Sequence, residues 1–112
     1  MTHCWPVRVL LDEQVPAGLA ALLPGHEVRT VTGMGWSGVK NGELLRRIAG
    51  QFDALLTMDR NLEFQQNLGA LSFGILVVRA PSNRLRDVQP LVPDILAALP
   101  RVAPGEVSRV GV

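Results

Sequence analysis

Two places in this chain put carboxylates where an apolar run stops. Val7-Arg8-Val9-Leu10-Leu11 reads as a strand that ends in Asp12-Glu13. The run Phe52 to Leu56 reads as another strand, and Asp59 follows just past its end in Thr57-Met58-Asp59-Arg60-Asn61. In open α/β sheets, loops leaving the strand C-termini meet the N-termini of the next helices, and ligands collect there. Acids converging from separate strand ends suit a hard divalent cation, which takes oxygen ligands, offsets phosphoryl charge and lowers the pKa of an attacking water. Asp12, Glu13 and Asp59 are therefore candidate catalytic residues, and Asp12, Asp59 and Glu43 are candidate ligands for Mg2+ or Mn2+. Arg60, Arg84 and Arg86 are of the type that forks onto phosphate.

Plainer roles compete for the same residues. Asp59 can cap a following helix, and Glu43 is an ordinary first-turn helix acid. Asn83-Arg84 can be a turn and helix start. Trp36, in a glycine-rich loop, can stack on a base, dock a partner or fold back onto the core. Asp12 is harder to explain away, because one polar residue would suffice where Asp12 and Glu13 both stand.

The elements that would position these groups follow from the apolar pattern. Pro16 suits a first helical turn, Leu19, Leu22 and Leu23 give a short apolar face, and Pro24-Gly25 stops it. His26 to Val31 alternates weakly as a second strand. Thr32 to Gly42 holds Gly33, Gly35, Gly38 and Gly42 around Met34 and Trp36, and is the one loop long enough for a lid or contact surface. Asn41 is the expected cap of a helix with Leu44, Leu45, Ile48 and Ala49 inward and Arg46 and Arg47 outward. A short helix is expected from about Arg60 to Leu68. Gly74 to Val78 reads as a strand buried on both faces. A helical region punctuated by Pro90 and Pro93 runs on to Leu99, with Leu91, Ile95 and Leu99 as its buried stripe, and Glu106 to Val110 forms an edge strand. The order β-α-β-α-β-α-β-α-β, with connections too long for hairpins, predicts a mostly parallel sheet of four to five strands with helices on both faces.

Bulk properties bound the rest. A chain of 112 residues, 47% hydrophobic and 19% charged, makes one domain over 1–112, neither disordered nor a polyelectrolyte tail. It has no apolar run of membrane-spanning length and no charged start followed by an apolar stretch, which reads as a cytoplasmic protein with no membrane partner. The single Cys4 excludes an internal disulfide framework, and with two histidines it is too little for an ordinary structural zinc site. The net charge of +1 neither advertises nor excludes nucleic acid, although every basic residue except Lys40 is an arginine.

Taken in order, Leu10-Leu11-Asp12-Glu13, Gly25-His26-Glu27-Val28, Asn41-Gly42-Glu43-Leu44-Leu45 and Leu55-Leu56-Thr57-Met58-Asp59-Arg60-Asn61-Leu62 resemble the PIN-like nuclease superfamily, in its short branch of bacterial toxins from toxin–antitoxin pairs. The resemblance spans Val7 to about Leu99, and the Thr-x-Asp-x-Asn segment after a strand is its most specific part. It implies a three-layer α/β/α domain, magnesium- or manganese-dependent ribonuclease chemistry on RNA, and a small antitoxin protein as partner; a homodimer stays open. By position, Asp12 and Asp59 would ligate the metal, with Glu13 a ligand or a support for one. Asn41 and Asn61 stand where many relatives carry acids, so the implied site has less negative charge, and Glu43, in the same helical turn as Asn41, could substitute. Arg60, Asn61, Asn41, Asn83, Arg84 and Trp36 are the candidate substrate contacts.

Three other functions use the same residues. A phosphoacceptor receiver would have Asp12-Glu13 as its acidic pair and Asp59 as acceptor, but Arg109 stands where a lysine is required. Gly33-x-Gly35-x-x-Gly38 matches a dinucleotide fingerprint in spacing, yet it follows a half-apolar strand and Gly42 interrupts the helix that should begin at the third glycine. A catalytically inactive interaction module on the PIN-like fold is the reading that Asn41 and Asn61 favour.

Overall fold

The computed structural model describes residues 7–59 and 71–111. Five strands, β1 (Arg8–Leu11), β2 (Glu27–Thr30), β3 (Ala54–Thr57), β4 (Gly74–Arg79) and β5 (Val107–Gly111), form one sheet in the order β2-β1-β3-β4-β5. Every pairing is parallel, including that of β5. Among the described residues the α-helices are α1 (Asn41–Ile48), α2 (Leu85–Val88) and α3 (Val92–Ala98).

Parallel strands need crossovers that cover the sheet, so the central strands are apolar on both faces. Ala54, Leu55, Leu56 and Thr57 are all buried, as are Gly74 to Val78. Successive side chains go to opposite faces. Val9, Leu11, Leu56, Leu76 and Val78 pack with Leu19, Val88, Ile95 and Leu99 on one side, while Leu10, Leu55, Ile75 and Val77 pack with Leu44, Ile48, Phe52 and Phe73 on the other. The result is three layers, α/β/α.

Local chemistry sets the boundaries. In α1, Leu44 and Ile48 lie one turn apart and bury against the sheet, Glu43 opens the helix, and Arg46 and Arg47 occupy its last turn, in accord with the helix dipole. Lys40, in extended conformation, holds the cap position expected for Asn41, which is instead the first helical residue. Ala49 is exposed rather than inward, because the helix has ended and Gly50 turns the chain at φ 82°. The segment after Pro16 is a 3-10 helix, Ala17–Leu22, rather than an α-helix. Proline punctuation divides the C-terminal helical region as expected: 3-10 turns Gln89–Leu91 and Leu99–Arg101 flank α3, whose first turn holds Pro93. The expected helix from about Arg60 to Leu68 lies outside the described residues. Among the described residues no helix is long and apolar enough to cross a membrane.

Candidate functional site

The chain passes from β1 to β2 on one side, then crosses back so that β3 lies on the other side of β1. That reversal falls at the C-termini of β1 and β3, and in open α/β sheets such a point is where ligands bind. The two sequence segments ending in acids are these two neighbours, with Leu11 registered against Leu56.

Asp12 extends the ladder by one residue, since its backbone N–H donates to the Leu56 carbonyl at 3.0 Å. Its carboxylate is held at both oxygens. Oδ1 accepts the Glu13 N–H at 2.8 Å, and Oδ2 accepts the Thr57 hydroxyl at 2.8 Å. Thr57 Oγ1 in turn accepts the Asp59 N–H at 3.1 Å. One buried hydroxyl thus joins the two strand ends, and Asp59 stands two hydrogen bonds from the Asp12 carboxylate. Asp12 and Asp59 are each half-buried. Sequence reasoning gave Thr57 no role, yet it is the one fully buried polar side chain among the described residues. The signal was there, because a hydroxyl breaks the apolar run Ala54-Leu55-Leu56 immediately before the acid.

The other candidates divide. Glu13 is exposed, and its Oε1 accepts the Gly38 N–H at 2.7 Å, which ties the glycine-rich loop to the end of β1. Gly38 has φ 82°, a conformation in which a side chain would be strained. No helix starts at that glycine, so the dinucleotide fingerprint lacks its structural context. Glu43 faces its own helix: Arg46 Nη2 lies 2.6 Å from Oε1 and Arg47 Nε 3.1 Å from Oε2. Hydrogen bonds from Arg46 and then Arg47 hold its carboxyl below the ordinary range. Trp36 is half-buried against the α1 face of the core, edge-on to Phe52 with ring centroids 6.3 Å apart and with the Arg47 guanidinium 5.8 Å from its centroid. Asn83 joins Asp12, Glu13, Gln14, Thr30 and Thr32 around a cleft of about 250 Å³. Arg84 is exposed and precedes α2. Asn41 begins α1, while Arg60 and Asn61 lie outside the described residues.

Could these residues hold a divalent cation? The donors at these strand ends are carboxylate oxygens, the kind that Mg2+ and Mn2+ prefer. Each Asp12 oxygen accepts one hydrogen bond from the residues around it and retains a second lone pair. Among the described residues no group of three His, Cys, Asp or Glu side chains gathers to hold a metal. Asp12 and Asp59 are the two carboxylates that the described residues bring to these strand ends, a donor set that would fit an ion such as Mg2+, which keeps several of its waters. No family model, curated protein or solved structure matches the chain.

Proposed function

We propose that the protein is a metal-dependent ribonuclease that hydrolyses RNA phosphodiesters at the C-termini of β1 and β3. The observation that carries this reading is the Asp12–Thr57–Asp59 linkage, which fixes a carboxylate from β1 against an acid-bearing turn from β3 at the reversal of strand order. Asp12 and Asp59 would hold Mg2+ or Mn2+, which when bound offsets charge on the phosphoryl oxygens and lowers the pKa of an attacking water. Thr57 and the Glu13 amide orient the Asp12 carboxylate. Glu13 keeps the loop around Gly38 beside the cleft, and Asn83 offers an amide to a bound strand. Arg84 supplies positive charge for a neighbouring phosphate. The sequence resemblance adds the setting of a toxin with a small antitoxin partner.

Cleavage of a labelled single-stranded RNA with Mn2+ tests the reading. Wild-type protein cleaves, and Asp12→Asn, which keeps the side-chain shape but removes the charge, loses most of that activity. Equal cleavage by both proteins contradicts it. If neither cleaves, the inactive interaction module takes its place, a reading favoured by the two arginines that occupy Glu43.

The strand order also fits a phosphoacceptor receiver, whose sheet runs 2-1-3-4-5. Against that, β3 ends at Thr57, two residues before Asp59, and β5 carries Arg109 where the phosphate-binding lysine is required. Labelling by acetyl phosphate that is lost in Asp59→Asn would favour the receiver.

A further inference from the structure

A second depression opens on the same edge of the sheet, beyond the end of β4. It has a volume of about 480 Å³ and is lined by Arg79, Ala80, Pro81, Arg86, Asp87, Pro90 and Leu91. Its floor is apolar, and its charged rim carries two guanidiniums against one carboxylate. That carboxylate is engaged, since the Ser82 hydroxyl donates to Asp87 Oδ2 at 2.5 Å. Arg86 is exposed and makes no hydrogen bond or ion pair among the described residues.

The position of this groove relates it to the acidic cleft. Both sit at strand C-termini of one parallel sheet, where β4 is the next strand after β3. At about 4.8 Å per strand, β4 lies roughly 10 Å from β1. The turn between β4 and α2 serves both: Ala80 and Pro81 line the groove, while Asn83 lines the cleft with Asp12 and Glu13. A chain leaving the cleft beside Asp12 across this turn would therefore reach the groove.

We propose that the groove is a nucleotide subsite, which seats the base of a nucleotide flanking the scissile bond against Pro81, Pro90 and Leu91 while Arg86 binds its phosphate. The charge fits, because a phosphate is attracted to the unpaired guanidinium and repelled from the acidic cleft when no metal is bound. The apolar floor matches the face of a base, which gains by leaving water. This inference rests on the ribonuclease reading for its class of ligand, but its test does not depend on cleavage.

The full chain is titrated with adenosine 5′-monophosphate, without divalent metal, and backbone amide resonances are followed by NMR. Saturable shifts are expected at Ala80, Arg86 and Leu91; the two prolines have no N–H to report. Ribose 5-phosphate, which lacks the base, binds about tenfold more weakly. Arg86→Glu, a substitution at an exposed position, weakens the nucleotide about tenfold. Unmoved Ala80 and Leu91 amides, equal affinity for ribose 5-phosphate, or undiminished binding by Arg86→Glu would each overturn the subsite. Metal-dependent cleavage alongside that failure leaves the ribonuclease reading standing, whereas nucleotide binding without cleavage removes the reading and keeps the groove.

Discussion

At the scale of single residues, the decisive group is a hydroxyl rather than an acid. Thr57 both donates to Asp12 and accepts from Asp59, so Thr57→Val, nearly the same shape, leaves a carboxylate oxygen and an N–H without their partner. A lost buried hydrogen bond costs about 1–3 kcal/mol. The expected outcome is a lower urea midpoint together with a larger fractional loss of RNA cleavage, and Thr57→Ser, which keeps the hydroxyl, recovers both. A purely structural role would lower stability and leave the activity of the folded fraction unchanged. His26 supplies a second prediction, on the far edge of the sheet. Its Nδ1 accepts the Val7 N–H at 3.1 Å, and burial holds the imidazole below its ordinary value of 6.5. The folded state favours neutral His26, so as pH falls the unfolded chain takes up the proton first. Stability from this group is complete above 6.5 and is lost as pH falls from there through the lowered folded value. Urea midpoints measured from about pH 7.5 to about pH 5.5 should decline, and His26→Gln should flatten that decline. Asp53, held low first by its hydrogen bond from the Arg8 side chain, contributes stability that is complete above its ordinary 3.8 and is lost only as pH falls from there through the lowered folded value.

At the scale of elements, the sequence showed clearly where strands begin and end, and less clearly how they close against one another. Gly74 to Val78 could be read directly, because a continuous apolar run rich in β-branched residues suits a strand buried on both faces of a parallel sheet. Why its first residue is glycine could not be read, since the reason lies in a distant segment: a Cβ there would stand 2.1 Å from Val102 Cγ1 and 2.7 Å from the Ala103 carbonyl oxygen. Gly74→Ala should therefore destabilise by about 1–3 kcal/mol through overpacking. Gly42→Ala, inside α1 with nothing within 4 Å of the added carbon, should stabilise by about 0.5–1 kcal/mol. Urea unfolding of both variants checks the opposite signs, and a Gly74→Ala midpoint equal to that of wild type would refute the close approach. Two local readings failed. The stretch between Pro16 and Pro24 forms a 3-10 helix, Ala17–Leu22, in place of the expected α-helix. The cap of α1 is Lys40 rather than the expected Asn41, because the change from extended to helical backbone comes one residue earlier.

At the scale of the whole molecule, alternating periodicity and connection length were enough for an α/β/α sandwich with a parallel sheet, while the order of strands depends on long-range pairing that no local pattern encodes. That order is what makes neighbours of Leu11 and Leu56, and hence of Asp12 and the turn bearing Asp59. It also explains why the fold alone does not choose a chemistry, since the same plan serves phosphoacceptor domains and other functions. The choice rests on side chains: Thr57 between two acids, arginine in place of lysine at 109, and Glu43 turned to Arg46 and Arg47. The acids were legible because two adjacent carboxylates at a strand end are unusual, whereas the engagement of Glu43 was hidden in helical spacing that any solvent-facing helix shares. Asp12 and Asp59 are proposed to form one cation site across β1 and β3. Manganese binding, followed by its paramagnetic resonance signal, tests this most directly in wild type, Asp12→Asn, Asp59→Asn and the double variant. One bound ion is expected in the wild type, weakened by either single change and abolished when the two are combined. Binding by the double variant equal to that of the wild type would contradict it.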